Sequence, residues 1–214
     1  MSLASIRARL VDACQEAGRA PDAVALVAVT KSRSQSAVLD LIAQGQKIFG
    51  ENRVAEAAAK FAPLRANTPD LELHMIGQLQ TNKARDAVRL FDVIETLDRP
   101  RLALALRAAI DKEGRAPACL LQVNTGAEPQ KGGVSVRDLD ALYRVAVEEA
   151  GLNIRGLMCI PPAGEPAAAH FALLHQLGNN LALPVLSMGM SADFDVAIRH
   201  GATHIRVGSA LFGG

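Results

Sequence analysis

Lys31 follows directly on an apolar run, Val24 to Thr30, so a cationic amine stands where a strand-like segment gives way to a polar loop. An amine at the rim of an apolar core loses hydration, which favours its neutral form, and a neutral amine can attack an aldehyde to form a Schiff base. Most lysines just after a strand are solvated loop residues, so position alone leaves that plainer reading beside the chemical one. Two segments near the C-terminus have the composition of an anion cradle. Ser187-Met188-Gly189-Met190-Ser191 offers two hydroxyls and a glycine ahead of a helix whose N-cap is expected at Ser191, and Gly208-Ser209 offers a second small-residue turn. Free backbone N–H groups and the positive end of a helix dipole would face an anion there. The plain alternative is a capped helix and two ordinary turns. Asp193 and Asp195 begin the same helix, so they must point away from a bound phosphate.

Placing these groups requires a fold. Strands are expected at 24–30, 47–49, 71–76, 92–96, 118–124, 154–160, 184–187 and 203–207, from short apolar runs rich in β-branched residues. Segments of helical periodicity lie between them: 36–44, 55–64, 84–90, 102–110, 136–150 and 167–181. An amphipathic helix carrying Arg7, Arg9 and Asp12 among Ile6, Leu10 and Val11 precedes the first strand, and the helix after the last strand is expected to be either missing or supplied by this one. About eight βα units imply a parallel sheet closed into a (β/α)8 TIM barrel, with an open doubly wound sheet as the alternative. With no composition break or long polar linker, residues 1–214 are expected to form a single domain.

In a barrel the C-terminal strand ends carry the site, and the unusual residues gather there. Lys31 follows strand one, Gly50-Glu51-Asn52 strand two, His74 and Ile76-Gly77 strand three, and Asn124 strand five. Met158 and Pro161 lie near the end of strand six, and Arg206 to Ser209 end strand eight. Strand eight of a closed barrel pairs with strand one, which sets Lys31 beside the Gly208-Ser209 turn. A ligand with an aldehyde at one end and a phosphate at the other would satisfy both, and pyridoxal 5′-phosphate is such a molecule. Arg206 would then donate to its ring nitrogen without yielding a proton, leaving the ring a weaker electron sink than one paired with a carboxylate. The alternative for Arg206 is a rim salt bridge.

Composition limits the function classes. Lys and Arg total 23 against 22 Asp and Glu, and aromatic residues make up 3% of the chain, so the basic, aromatic surface of a nucleic-acid binder is not expected. The N-terminal segment reads as a helix and not as a signal peptide, and a membrane span is not expected. Cys14, Cys119 and Cys159 are widely spaced and odd in number, as in a reduced cytoplasmic protein.

Long ordered motifs carry a family resemblance over nearly the whole chain. Val27-Ala28-Val29-Thr30-Lys31, Phe49 to Glu56, His74 to Lys83, Arg155-Gly156-Leu157-Met158, Ser187 to Ser191 with Asp193 and Ala197-Ile198, and Arg206 to Gly213 resemble the pyridoxal phosphate homeostasis protein family. The resemblance implies a barrel of the alanine racemase N-terminal type. It implies Lys31 as the lysine of the Schiff base, Ser191, Gly208 and Ser209 as phosphate ligands, and Asn52, His74 and Met188 around the cofactor. Two features depart from the family pattern: Gly132-Gly133 after Lys131, and a short loop after strand six. Both concern loop geometry. Gln80-Thr81-Asn82-Lys83 has no assigned role beyond a solvated helix face.

The expected function is therefore a carrier that holds pyridoxal phosphate and acts in intracellular vitamin B6 and amino-acid homeostasis without robust catalysis. Its expected partners are the cofactor and apo-enzymes that need it, with the chain a monomer. A small amino-acid racemase is the alternative, with His74 or Cys159 as the second acid/base, and a Schiff-base aldolase is a third reading. A two-faced racemase needs that second group, which related barrel enzymes supply as a tyrosine. The single tyrosine here, Tyr143, lies in the helical stretch between strands five and six.

Overall fold

The computed structural model describes residues 2–212. Gly213, the last residue of the Arg206–Gly213 motif, lies outside them. Eight parallel strands close on themselves: β1 (Ala25–Val29), β2 (Ile48–Glu51), β3 (Glu72–Met75), β4 (Val93–Leu97), β5 (Ala118–Asn124), β6 (Ile154–Cys159), β7 (Val185–Ser187) and β8 (His204–Val207). Each pairs with the next, and β8 returns to β1, so the barrel is closed and the open-sheet alternative is excluded. A two-residue strand, Val134–Ser135, adds to the end of β5. Short, mostly buried runs make these strands because both of their faces are covered.

The helices are α1 (Leu3–Glu16), α2 (Gln35–Ala43), α3 (Val54–Phe61), α4 (Ala84–Leu90), α5 (Pro100–Glu113), α6 (Leu139–Arg144), α7 (Ala167–Asn180) and α8 (Phe194–Arg199). The stretch expected as one helix over 136–150 is instead a 3-10 turn (Val136–Asp138), α6 and a π-helical turn (Val145–Glu149). Ala150 N donates to Val145 O, so the last turn is widened by one residue. Helix α1, capped by a reciprocal Ser2–Ser5 pair, packs against α8 and takes the place of an eighth barrel helix. Just beyond it, Arg19 donates to the carbonyls of Ile198 and Ala202 at 2.9 and 2.7 Å, tying this N-terminal segment to the far end of α8.

The apolar core fills the layer between barrel and helices, with Phe49 of β2 and Phe61 of α3 at 5.5 Å between ring centroids. Closure decides the site. Val27 pairs with Arg206 and Ala28 with Val207, so the chain leaving β1 runs beside the chain leaving β8. The two are close enough that a Cβ on Gly208 would lie 3.2 Å from Cβ of Val29. Among the described residues, no helix is long and apolar enough to cross a membrane.

Candidate cofactor site at the barrel rim

A cavity of about 370 Å³ opens at the C-terminal rim, over the β1, β8 and β7 side of the barrel. Val29 and Lys31 line it from β1, Asn52 and Ile76 from the ends of β2 and β3, and Ile160 from the end of β6. Met190, Ser191 and Ala192 complete it after β7, with Arg206, Gly208 and Ser209 from β8. Ile160 and Met190 are among the few large apolar side chains left exposed, and both frame this opening. The mouth therefore presents apolar walls around a small number of polar groups, as ligand pockets do.

Strand β1 ends at Val29, two residues before Lys31, and the Lys31 side chain is exposed. The expected desolvation of its amine by an apolar rim is not what the structure shows, because the chain turns outward at Thr30 to Ser32. Ser32 is left-handed, at φ 58°.

The two small-residue turns meet as closure requires: Ser209 Oγ lies 3.3 Å from Ser191 Oγ. Ser191 is not the N-cap of α8, however. Met190 O accepts from the N–H groups of both Asp193 (3.2 Å) and Phe194 (2.9 Å), so a turn over 190–193 comes first and Asp193 takes the N-cap position. Both acidic residues have partners of their own. Asp193 Oδ1 accepts from Met190 N at 2.6 Å, and Asp195 Oδ2 accepts from Arg9 Nε at 3.0 Å. Arg9 also donates to Ser191 O at 3.1 Å and lies 4.2 Å over the Phe194 ring, so α1 helps hold the cradle.

Below the cavity the barrel lumen is polar. Glu95 on β4 accepts from Ser187 Oγ on β7 at 2.6 Å, and these strands are not neighbours, so the contact crosses the interior. The other Glu95 oxygen lies 2.6 Å from His74 Nδ1, whose Nε2 meets Glu72 Oε1 at 2.8 Å. Burial alone would lower the pKa of His74, but hydrogen bonds to Glu72 and Glu95 reverse this and raise it to about 9. Burial likewise pushes Glu95 up, and His74, Arg206 and Ser187 outweigh it, holding its carboxyl at about 2. Arg206, 4% exposed, donates to Ser187 Oγ at 2.7 Å and to Cys159 O at 2.8 Å, with Nη1 3.8 Å from Glu95. It is a buried member of this network and not a rim salt bridge.

The model of the alanine racemase N-terminal domain family matches residues 1–214. A pyridoxal phosphate homeostasis protein of Pseudomonas aeruginosa is 42% identical over 219 residues, covering 99% of this chain and 94% of the relative. The chain belongs to the pyridoxal phosphate homeostasis protein family. A member of that family from Aquifex aeolicus is 37% identical, over 99% of this chain and 96% of its own length. PipY of Synechococcus elongatus, solved with pyridoxal phosphate bound, is 40% identical and superposes with a TM-score of 0.84 over 95% of this chain and 100% of that one. The barrel is of the alanine racemase N-terminal type.

Of the eight residues expected in a pyridoxal phosphate homeostasis site, six line one cavity here: Lys31, Asn52, Ser191, Arg206, Gly208 and Ser209. His74 and Met188 do not. His74 sits in the lumen, and Met188 is fully buried in the helix-facing core. Glu95 escaped sequence reasoning, although a carboxylate centred in the run Val93-Ile94-Glu95-Thr96-Leu97 is itself a signal of a paired, lumen-facing charge. At Gly132, the departure from the family pattern, a Cβ would come within 2.2 Å of Gln78 Nε2, the end of an exposed side chain that can move aside. The Gln80–Lys83 segment is an extended residue followed by a 3-10 turn into α4, with Asn82 and Lys83 exposed.

Proposed function

We propose that this chain holds pyridoxal 5′-phosphate in the rim cavity as a Schiff base on Lys31, and serves intracellular vitamin B6 and amino-acid homeostasis without robust catalysis. The observation that carries the reading is the convergence of a primary amine, two hydroxyl-bearing turns and a buried guanidinium in one cavity of about 370 Å³. That volume lies in the range that encloses a small ligand. Ser191, Gly208 and Ser209 would hold the phosphate, Val29 and Ile76 would pack against the ring, and Arg206 would meet the ring nitrogen. When bound, the cofactor supplies an aldehyde carbon to which an amine can bond. Lys31 would supply the amine for that bond, its two N–H hydrogens leaving with the aldehyde oxygen as water, so that no oxidant or reductant would be needed.

The groups that a racemase would recruit as a second acid/base are engaged elsewhere, which supports a carrier. His74 is held between Glu72 and Glu95. Cys159 is buried, and burial raises its thiol to about 12, far from a working thiolate. Tyr143 lies on α6 against the outer core. Arg206, a donor that does not release its proton, favours weak electron withdrawal. The three cysteines are free and buried, in keeping with a cytoplasmic, reducing setting, and apo-enzymes that require the cofactor are the partners implied.

The test is an absorbance spectrum after incubation with pyridoxal phosphate, for the natural chain and for Lys31→Ala. A band near about 420 nm that is lost in the variant is expected. A colourless natural chain overturns the reading. Racemisation of amino acids at about 10 per second, a typical enzyme turnover, would replace the carrier by an enzyme.

A further inference from the structure

A long, solvent-exposed side chain such as Lys31 cannot be oriented by its own packing, so whatever aims it must act on the backbone at either side. On the helix-facing side of that backbone lies a second lysine with the opposite character. Lys60 of α3 is buried, with 8% of its side chain exposed, beside a Glu51 side chain at 0%. Burying an ammonium and a carboxylate is costly, and an apolar pair of similar volume often does better for stability alone, so the arrangement asks for another reason.

Its contacts supply one. Lys60 Nζ meets Glu51 Oε1 at 2.5 Å, Glu56 Oε1 at 2.9 Å and the Thr30 carbonyl at 2.6 Å, one partner for each of its three N–H groups. The same Glu51 oxygen accepts from Thr30 Oγ1 at 2.6 Å, and the same Glu56 oxygen accepts from Ser32 N at 2.5 Å. Thr30 N donates to Gly50 O at 3.1 Å, and Arg33 N closes the turn onto Thr30 O at 3.1 Å. The residues immediately before and after Lys31 are thereby tied to β2 and α3. The Glu56 bond falls on Ser32, which sits in the left-handed region that a serine enters only at a cost, so it holds the one conformation that the turn would otherwise relax from.

We infer that Glu51, Glu56 and Lys60 form a clamp that positions Lys31 for bonding to the cofactor. Lys60 and Glu56 are positioning residues: they touch neither the cavity nor the ligand, and they act through the Thr30–Ser32 backbone. This rests on the reading of Lys31 as the attachment point. It goes beyond that reading by assigning the preorganisation of the amine to a buried ion cluster on the outer face of the barrel.

The experiment has two arms. In the first, amide hydrogen exchange at Ser32 is followed by NMR in the chain without cofactor. In the second, the rate at which borohydride traps pyridoxal phosphate on Lys31 is followed by mass spectrometry as the cofactor concentration is raised. Glu56→Ala should speed Ser32 exchange by about tenfold or more and slow the saturated trapping rate by about tenfold, within the range that a small misplacement of a reacting group costs. The half-saturating cofactor concentration, set by the phosphate turns and Arg206, should stay within about twofold, because those contacts are intact. Glu56→Gln keeps a carbonyl acceptor for Ser32 N–H and should restore both rates to within about threefold. Lys60→Met should match Glu56→Ala. If it does not fold, Glu56→Ala alone decides, since Glu56 is partly exposed. Wild-type trapping and exchange rates in folded Glu56→Ala overturn the clamp. A natural chain that takes no adduct at Lys31 overturns the attachment reading instead, and Ser32 exchange then judges the clamp by itself.

Discussion

Glu95→Gln removes one charge from the barrel lumen while leaving its shape almost unchanged, which isolates the electrostatic role of the network. In the natural chain the carboxylate accepts from His74 Nδ1 and from Ser187 Oγ, both at 2.6 Å, with Arg206 Nη1 at 3.8 Å. An amide keeps one acceptor and turns an NH2 group toward a donor. Two figures bear on the size of the effect. The rise of His74 from its ordinary 6.5 to about 9 corresponds, at about 1.4 kcal/mol per tenfold, to roughly 3 kcal/mol of folded-state stabilisation of the imidazolium. Removing one partner from a buried ion pair typically costs about 3–5 kcal/mol. The first figure contains Glu72 as well as Glu95, set against burial, so it is not a second measure of the Glu95 contact and is not added; a loss of about 3 kcal/mol is expected from removing the buried partner. The sign with pH follows from linkage. His74 has its pKa raised on folding, so its contribution is full below pH 6.5 and fades as pH rises through about 9. Glu95 has its pKa lowered, so its contribution is full above 4.5 and fades as pH falls through about 2. The pair is at full strength between pH 4.5 and 6.5. Urea unfolding of both proteins without cofactor at about pH 5.5, 7.5 and 10 should therefore show the largest difference at the lowest of these and a much smaller one at the highest. A difference that stays flat across the three, or lies under about 1 kcal/mol at pH 5.5, refutes the charged network.

Gly77→Ala should damage the cavity from a position that does not line it. Its Cβ would lie 2.3 Å from the carbonyl oxygen of Asn52, a backbone atom that must shift. A stability loss of about 1–3 kcal/mol is expected in urea unfolding, together with weaker uptake of pyridoxal phosphate by absorbance titration; unchanged uptake and stability would show that Asn52 yields freely. The three cysteines are buried, and burial raises Cys14 above its ordinary range and both Cys119 and Cys159 to about 12. Iodoacetamide at about pH 8 should leave all three unmodified in the folded chain and label them in urea. Fast labelling of folded Cys159 would reopen the thiol as an acid/base.

The barrel was legible because the strands are short, largely apolar runs and the segments between them carry helical periodicity, so that the strand ends fall within two residues of expectation. The sequence pattern alone sets Lys31 and the Gly208-Ser209 turn side by side, since closure makes strand eight a neighbour of strand one. Local turn chemistry was less legible. A serine before an apolar helical run reads as an N-cap, yet the Met190 carbonyl captures two N–H groups first and moves the helix start to Phe194. Pairings through the lumen and behind the barrel were not legible at all. Glu95 and Ser187 are 92 residues apart, and Lys60 occupies an amphipathic helix where a lysine ordinarily meets solvent. The helical pattern gives no sign that its ammonium turns inward to Thr30.

On the proposed function, the lumen network would also decide which end of the ligand meets the cavity floor. Arg206 is a buried cation, and a buried cation without compensation would draw the phosphate to itself. It is compensated: Glu95 stands 3.8 Å from Nη1 and shares Ser187 with it, while Glu72 and His74 balance each other beyond. Two of the five guanidinium N–H groups are already spent on Ser187 and the Cys159 carbonyl. What remains facing the cavity is a directional donor whose charge is largely answered, suited to a neutral acceptor such as a ring nitrogen. Under that reading the dianionic end would fall to the turns at Ser191 and Gly208-Ser209, where Asp193 is partnered by Met190 N and Asp195 by Arg9. The two ends of the cavity are thus distinguished by how their neighbouring charges are satisfied, and under the proposed function that asymmetry would set the ligand's direction with its aldehyde side toward Lys31.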